Sequence, residues 1–417
     1  MPVYYDKSGN PVTVGGDAQK DALMVDIKNL LSLDSARITA LEGMHDTEFV
    51  LPVLRLTGDT SKMTKDKAVT LDAEYTDGVR SFKCKAKTKW QGQSSLNFPK
   101  KNYNIKFIDG NGNKVIMSFK DWFPTNGYHM KANYDDYSLV RNVVGVQLGR
   151  KIYPNLYPNN ARGVVDSFPF ILYINNEWWG CYTWNLSQNA DLFAMDESNE
   201  NHMCFRPSND GWEVQYFEDR IHDDPIAYQI EKLTRMVNWT KTCTNAEFSA
   251  DVEDYFDLDS LRYYWLMMDI AGAGDSMVNN STWASWDGNK WYVLWYDLDI
   301  CFGWNQTLYP SNVDLLALSK TQEWAHKYNP IWDKLYSTDY TALCEIYAKL
   351  RQTVFTDAQT IIDYFTAYRD QWGNDNISHE YQKWSGKSNP EWDITNCATW
   401  ITERLAYCDN KYNYTPA

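Results

Sequence analysis

The sequence predicts an α+β protein, with a strand-rich first half, a mainly helical second half and a helical N-terminal extension. Three observations lead there. Between residues 47 and 186, apolar residues recur with period two in short runs bounded by Gly, Pro and Asn. After residue 187 the apolar spacing lengthens to three and four residues, as on helices. Between Met268 and Gly303 an apolar helix gives way to a two-strand hairpin.

The 417 residues suffice for more than one structural unit, and a hydrophobic content of 44% with 19 Trp and 29 Tyr supports a large core. A net charge of −15 weighs against a nucleic-acid partner, because phosphate backbones need a dominant basic face. Apolar runs never reach the roughly 18 residues of a membrane span. The start, MPVYYDKSGN, lacks the basic and apolar parts of a signal peptide, so the chain is expected to be made in the cytoplasm. Its 8 Cys and 6 His are scattered without metal-ligand spacing, which disfavours zinc and suits reduced thiols. A carbohydrate-binding module would rest on Trp abundance alone, which core packing explains equally well.

Residues 1–16, polar and Gly-rich with Pro2 and Pro11, read as an extended arm. Over 17–42, Met24, Ile27, Leu31, Asp34, Ile38 and Leu41 alternate steps of three and four, the spacing of a short coiled coil. In that reading the helix assembles a homo-oligomer, a trimer. The alternative is an amphipathic helix packed on its own domain, and Gly43 stops it in either case. The expected organisation is arm and helix at 1–46, a β-rich part at 47–186 and a helical part at 187–417, the last holding the hairpin of 275–303.

Residues 49–56 and 69–75 read as strands. In the next, 80–90, Lys83, Lys85, Lys87 and Lys89 share one face of a period-two strand. That row reads as a solvated edge that discourages sheet-to-sheet pairing, with an anionic ligand as the alternative. Asp and Glu are absent between Arg80 and Ile108. The loop from Gln91 through Gly92, Ser94 and Ser95 to Lys100 and Lys101, then a strand at 102–107 bearing Lys106, suits a cover over phosphates. A helix is expected from Asp135, capped by Asp136 or Ser138. Arg141 lies near its start, where the dipole disfavours a cation, so it asks for a specific carboxylate or phosphate. A second hairpin, 168–174 with 178–184, turns at Asn175-Asn176, and an apolar face recurs over 345–372.

The central stretch carries the chemistry. The helix ending YYWLMM runs into Gly-Ala-Gly and Asp275, and Asn280 follows. Strands TWASW and WYVLW flank the turn Asp287-Gly288-Asn289, and the second delivers Asp297 and Asp299 ahead of Phe302-Gly303. An Asp, an Asn, a hairpin and an Asp ahead of Phe-Gly is the order in which protein kinases set out their base and Mg²⁺ ligands. Asp and Asn are also ordinary turn residues, and Asp297 could simply end a strand.

WQGQSSLNFPKKNYNIKF (90–107), KANYDDYSLVRNVVGVQLGRKI (131–152), INNEWWGCYTW (174–184) and GDSMVNNSTWASWDGNKWYVLWYDLDICFG (274–303) together resemble the CotH kinase family, atypical kinases first associated with spore coats. The resemblance spans roughly 48–310. It implies a two-lobed protein-kinase-like fold and transfer of the ATP γ-phosphate to Ser or Thr of a protein, with Mg²⁺ or Mn²⁺. Asp275 resembles the catalytic Asp, and Asn280 and Asp297 the metal ligands, with Asp299 the runner-up to Asp297. Gln91, Gly92, Ser94, Ser95, Lys101 and Lys106 resemble the nucleotide-binding hairpin, and Arg141 a recurrent Arg. Leu186 departs from the pattern, standing where many members carry a Glu six residues after a Gly, here Gly180. The rival reading is a kinase-fold module without activity, built into a bacteriophage virion or an extracellular assembly through the N-terminal extension. The partner is then an assembly protein, and otherwise an acceptor protein.

Overall fold

The computed structural model describes residues 3–5, 11–12, 50–119, 122, 124–165, 167–208, 211–222, 224–277, 279–321, 329–386 and 389–416. The expected helix of 17–42 lies outside the described residues. A small sheet pairs β1 (Val3–Tyr5) with β2 (Pro11–Val12) and with β7 (Val115–Ile116).

Seven strands form a closed barrel: β3 (Val53–Thr57), β4 (Val69–Thr76), β5 (Ser81–Gln91), β6 (Asn102–Ile108), β8 (Gly127–Lys131), β9 (Ser167–Ile174) and β10 (Glu177–Leu186). Their order around the wall is β10-β8-β6-β5-β4-β3-β9. Closure comes from β9, which pairs antiparallel with β10 and parallel with β3, Val53 opposite Ile171 and Leu56 opposite Ile174. Inward positions carry large rings. Phe119 meets Tyr75 and Tyr128 edge-on at 5.1 Å each, and Trp184 at 5.3 Å. A barrel of this size is filled by its own side chains, so any ligand must sit outside it.

The α+β class therefore holds, but the expected two-lobed protein-kinase-like fold does not: the strands close into a barrel beside a separate second sheet and helices. Alternation along each strand tells which residues face inward and says nothing about pairing between β3 and β9, far apart in sequence. Pairing on both sides also removes the expected lysine edge. The strand β5 lies between β4 and β6, and Lys83 and Lys85 pair with Glu74 at 3.1 Å and Asp72 at 2.6 Å. Lys87 instead stands opposite Lys106.

Beyond the barrel, β11 (Met203–Pro207), β12 (Phe217–Asp219), β13 (Ser281–Ser285) and β14 (Tyr292–Trp295) form a second sheet in the order β12-β11-β13-β14. Among the described residues the helices are α1 (Arg141–Ile152), α2 (Ala227–Thr242), α3 (Asn245–Asp251), α4 (Leu258–Ala271), α5 (Leu315–Thr321), α6 (Ile331–Thr338), α7 (Tyr340–Thr353), α8 (Ala358–Arg369), α9 (Asn374–Lys383) and α10 (Ala398–Lys411). Among the described residues no helix is long and apolar enough to cross a membrane.

Two joints position the site. Gly145 and Gly149, one turn apart on α1, let the strand leading to Asp297 approach closely. A Cβ at Gly145 would lie 3.1 Å from Leu298 Cβ, and one at Gly149 would lie 2.8 Å from the Trp295 indole. At the end of α4, buried Asp269 accepts from Arg404 (2.6 Å) and Tyr412 (2.5 Å) and pairs with Lys411 (3.0 Å), tying α10 beneath the turn that carries Asp275.

Candidate active site

The helix α4 ends at Gly272 in the left-handed conformation (φ 64°), which lets the chain turn sharply into the single turn Gly274–Met277 that presents Asp275. Asp275 is half-buried, and its two carboxylate oxygens accept from the amides of Asn279 (3.2 Å) and Asn280 (2.7 Å). Next to it, the Ser276 hydroxyl donates to the Asp297 carbonyl at 3.0 Å, which joins this turn to the end of β14. The hairpin forms as its residues suggest, Ser281 opposite Trp295 and Ala284 opposite Tyr292, with Gly288 at φ 77° and Asp287 accepting from Asn289 and Lys290.

Asp297 is held from two sides. Lys131, at the end of β8, reaches across from the barrel wall to 3.5 Å, and the Asn142 amide on α1 donates to the other oxygen. Burial works against the Lys131 charge, but Asp297, Tyr296 and Asp299 outweigh it and raise its pKa. Asp299 has no hydrogen-bond partner among the described residues. Loss of water, then Asp297 and Asp275, push its carboxyl well above the usual range. Three carboxylates thus crowd one place with Lys131 as the nearest compensating cation.

This crowding tests the fit of a divalent cation. Asn280 donates through its nitrogen, so its Oδ1 is left without a described partner, and Asp299 carries an unmatched carboxylate beside Asp297. Oxygen donors of this kind suit Mg²⁺, which takes one or two carboxylates and completes its shell with water and phosphate. Among the described residues no group of three or more His, Cys, Asp or Glu forms a ready-made cage.

A cleft opens beside Asp299, lined also by Ser95, Phe98, Lys131, Asn133, Asn142 and Trp304. Of the residues expected to bind nucleotide or phosphate, Ser95 and Lys100 line it. Gln91, Gly92 and exposed Ser94 belong to the same loop but do not. Gly92, at φ 118°, is needed there: a Cβ would lie 2.0 Å from Ser95 Oγ. Lys101 turns back on its own loop, donating to the carbonyls of Leu96 (2.7 Å) and Phe98, with its ammonium 5.5 Å from the Trp90 ring. Lys106 is exposed on the barrel wall, away from the cleft lining.

Arg141 does not reach the cleft either. Fully buried, it pairs with Asp136 at 2.5 Å and donates to the carbonyls of Cys301 (3.0 Å), Phe302 (3.5 Å) and Trp392. The partner its position asked for is a carboxylate, and its work is to brace the Phe302-Gly303 turn. The same Asp136 accepts from the Arg141 N–H at 2.8 Å, which is why α1 begins at Arg141 and the expected turn from Asp135 stays outside the helix. Sequence reasoning missed Lys131 and Asn142. Asn142 is adjacent to Arg141, and only packing reveals which of the two faces the carboxylates.

Leu186 is 3% exposed and registers against inward-facing Tyr128, so a Glu there would be desolvated in the barrel core. A different carboxylate serves the lysine beside the cleft. Lys100 Nζ lies 2.8 Å from Glu380 Oε1 of α9 and also donates to the carbonyls of Ala132 and Cys181.

A protein-family model described as "CotH kinase protein" matches residues 89–408. The chain belongs to the CotH kinase family. That match runs past the hairpin into α10, so Glu380, Asp269 and Arg404 lie within the matched residues, and Lys411 and Tyr412 lie beyond them. A search of curated proteins finds no match. Kinase-like chemistry is what membership in the CotH family indicates.

Proposed function

We propose that this CotH-family chain transfers the γ-phosphate of ATP to a Ser or Thr hydroxyl of a protein, with Mg²⁺ or Mn²⁺ bound. The observation that supports it is the meeting of Asp275, Asn280, Asp297 and Asp299 at one end of a hairpin, beside an open cleft. Asn279 and Asn280 hold the Asp275 carboxylate in one orientation, so it can take the proton of an approaching hydroxyl as the oxygen bonds to phosphorus and ADP leaves. Asn280 Oδ1, Asp297 and Asp299 would hold the cation, which when bound offsets charge on the transferring group. Lys131 and Asn142 keep Asp297 fixed, so the site needs little rearrangement during transfer. The Leu186 departure does not count against this reading, because that side chain points into the barrel core.

The test is transfer of labelled phosphate from ATP to the protein itself or to a general acceptor protein, with Mg²⁺ and with Mn²⁺. The parent should transfer, and Asp275→Ala should lose roughly 10²- to 10⁴-fold. Failure of the parent with both metals, or equal transfer by the variant, refutes the reading.

A further inference from the structure

A second charged group, opposite in sign to the carboxylates, gathers on the sheet that leads to Asp297. Arg206 lies on β11 directly opposite Glu218 of β12, and Arg220 follows β12. Both guanidinium groups turn to one oxygen. Arg206 Nη2 is 3.2 Å and Arg220 Nη1 is 3.3 Å from Glu218 Oε2. The Glu218 side chain is 45% exposed, against 19% and 23% for the two arginines. A single solvated carboxylate therefore serves two more deeply placed cations, and Arg220 Nε is buried with no partner.

The group borders the carboxylates. The Arg206 guanidinium sits 4.9 Å from the centre of the Tyr296 ring, and the Lys131 ammonium 5.9 Å from the same centre. Tyr296 immediately precedes Asp297. On β8, His129 lies two residues before Lys131, hence on the same face, and its Nδ1 is buried and unpartnered. Burial first, then Lys131, Arg220 and Arg206, lower the His129 pKa to about 3, so the ring is neutral at physiological pH. Burial and then Arg206 also lower the pKa of Arg220. Lys131 already has Asp297 as its partner, so it is the two arginines that share one carboxylate.

We propose that Arg206 and Arg220, with Lys131 and the ring of His129, form a receptor for a phosphate group, either the terminal phosphates of a nucleoside triphosphate or a phosphorylated side chain of an acceptor protein. Guanidinium forks match phosphate oxygens in a planar, two-point geometry. A phosphate placed between them gives Arg220 Nε its missing acceptor and relieves the repulsion between the two arginines. Binding requires no turnover, so a parent that binds the probe but transfers no phosphate separates this proposal from the kinase reading.

Titration calorimetry with inorganic tripolyphosphate, in a chelator at low ionic strength, tests it on the full chain. The parent should bind, and Arg220→Gln should weaken binding about ten- to hundredfold, the value of a charge-assisted contact. Glu218→Gln removes the competing carboxylate and should tighten binding about two- to fivefold. Displacement of tripolyphosphate by a non-hydrolysable ATP analogue and not by a phosphoserine peptide assigns the receptor to the nucleotide, and the converse assigns it to the acceptor. Absence of binding by the parent, or unchanged affinity in a folded Arg220→Gln protein, overturns the proposal. If Arg220→Gln does not fold, Glu218→Gln decides, and affinity that fails to rise overturns it.

Discussion

Removing the Glu380 charge should be among the most damaging single changes in the molecule. Both side chains of the Lys100–Glu380 pair are 0% exposed, and Glu380 Oε2 also accepts from the Cys181 N–H at 2.9 Å. Gly180 makes room for this carboxylate, since a Cβ there would lie 2.6 Å from Oε2. Glu380→Gln keeps the shape and one acceptor oxygen but leaves the Lys100 ammonium buried among the carbonyls of Ala132 and Cys181 and the Tyr182 ring. Breaking one side of a buried pair costs about 3–5 kcal/mol, a large share of a stability of about 5–15 kcal/mol. Replacing both partners, Lys100→Met with Glu380→Leu, removes the stranded charge and should cost less than Glu380→Gln alone. Urea unfolding of the parent, Lys100→Met, Glu380→Leu and the double variant closes the cycle, with Glu380→Gln measured beside it. A cost below about 1 kcal/mol for Glu380→Gln, or a double variant as unstable as the sum of the singles, refutes the reasoning. The consequence for the site is direct, because this pair ties α9 to the wall behind the cleft-lining loop.

Two further perturbations probe the supports of the site. Gly149→Ala gains helix propensity, yet its methyl would meet the Trp295 indole at 2.8 Å, so a net loss of about 1–2 kcal/mol is expected by urea unfolding. A stabilised variant would mean that α1 is not held against β14 as described. For Asp269, burial raises the carboxyl pKa, but Lys411 and Arg404 outweigh it and hold the folded value below the ordinary 3.8. A depressed carboxyl stabilises fully above the unfolded pKa and loses that contribution as pH falls through the folded one. The difference in melting temperature between the parent and Asp269→Asn should be large at pH 7 and shrink below about pH 4. A pH-independent difference contradicts the ion-pair account.

Local chemistry was legible in the sequence, and so was the family. Period-two alternation marks the barrel strands because each inward residue must be apolar wherever the strand pairs. Asp287-Gly288 marks the hairpin because its turn needs positive φ, and Gly272 ends α4 for the same reason. The spacing of Asp275, Asn280 and Asp297 could be read because one turn and one hairpin connect them. The rest depended on contacts between distant segments. The parallel pairing of β3 with β9 closes the barrel, and pairing with both β4 and β6 makes the apparent lysine edge an interior strand of the wall. Lys101 and Arg141 have the charge a nucleotide needs, but neighbours in space consume it, whereas Lys131 and Asn142 are carried to Asp297 by a strand and a helix. Glu380 meets Lys100 across most of the chain, and Arg206 meets Arg220 across a strand pair. A residue's type and spacing set what it can bond and which face it takes. What it does bond is decided by which faces the closed barrel, the second sheet and the helices press together.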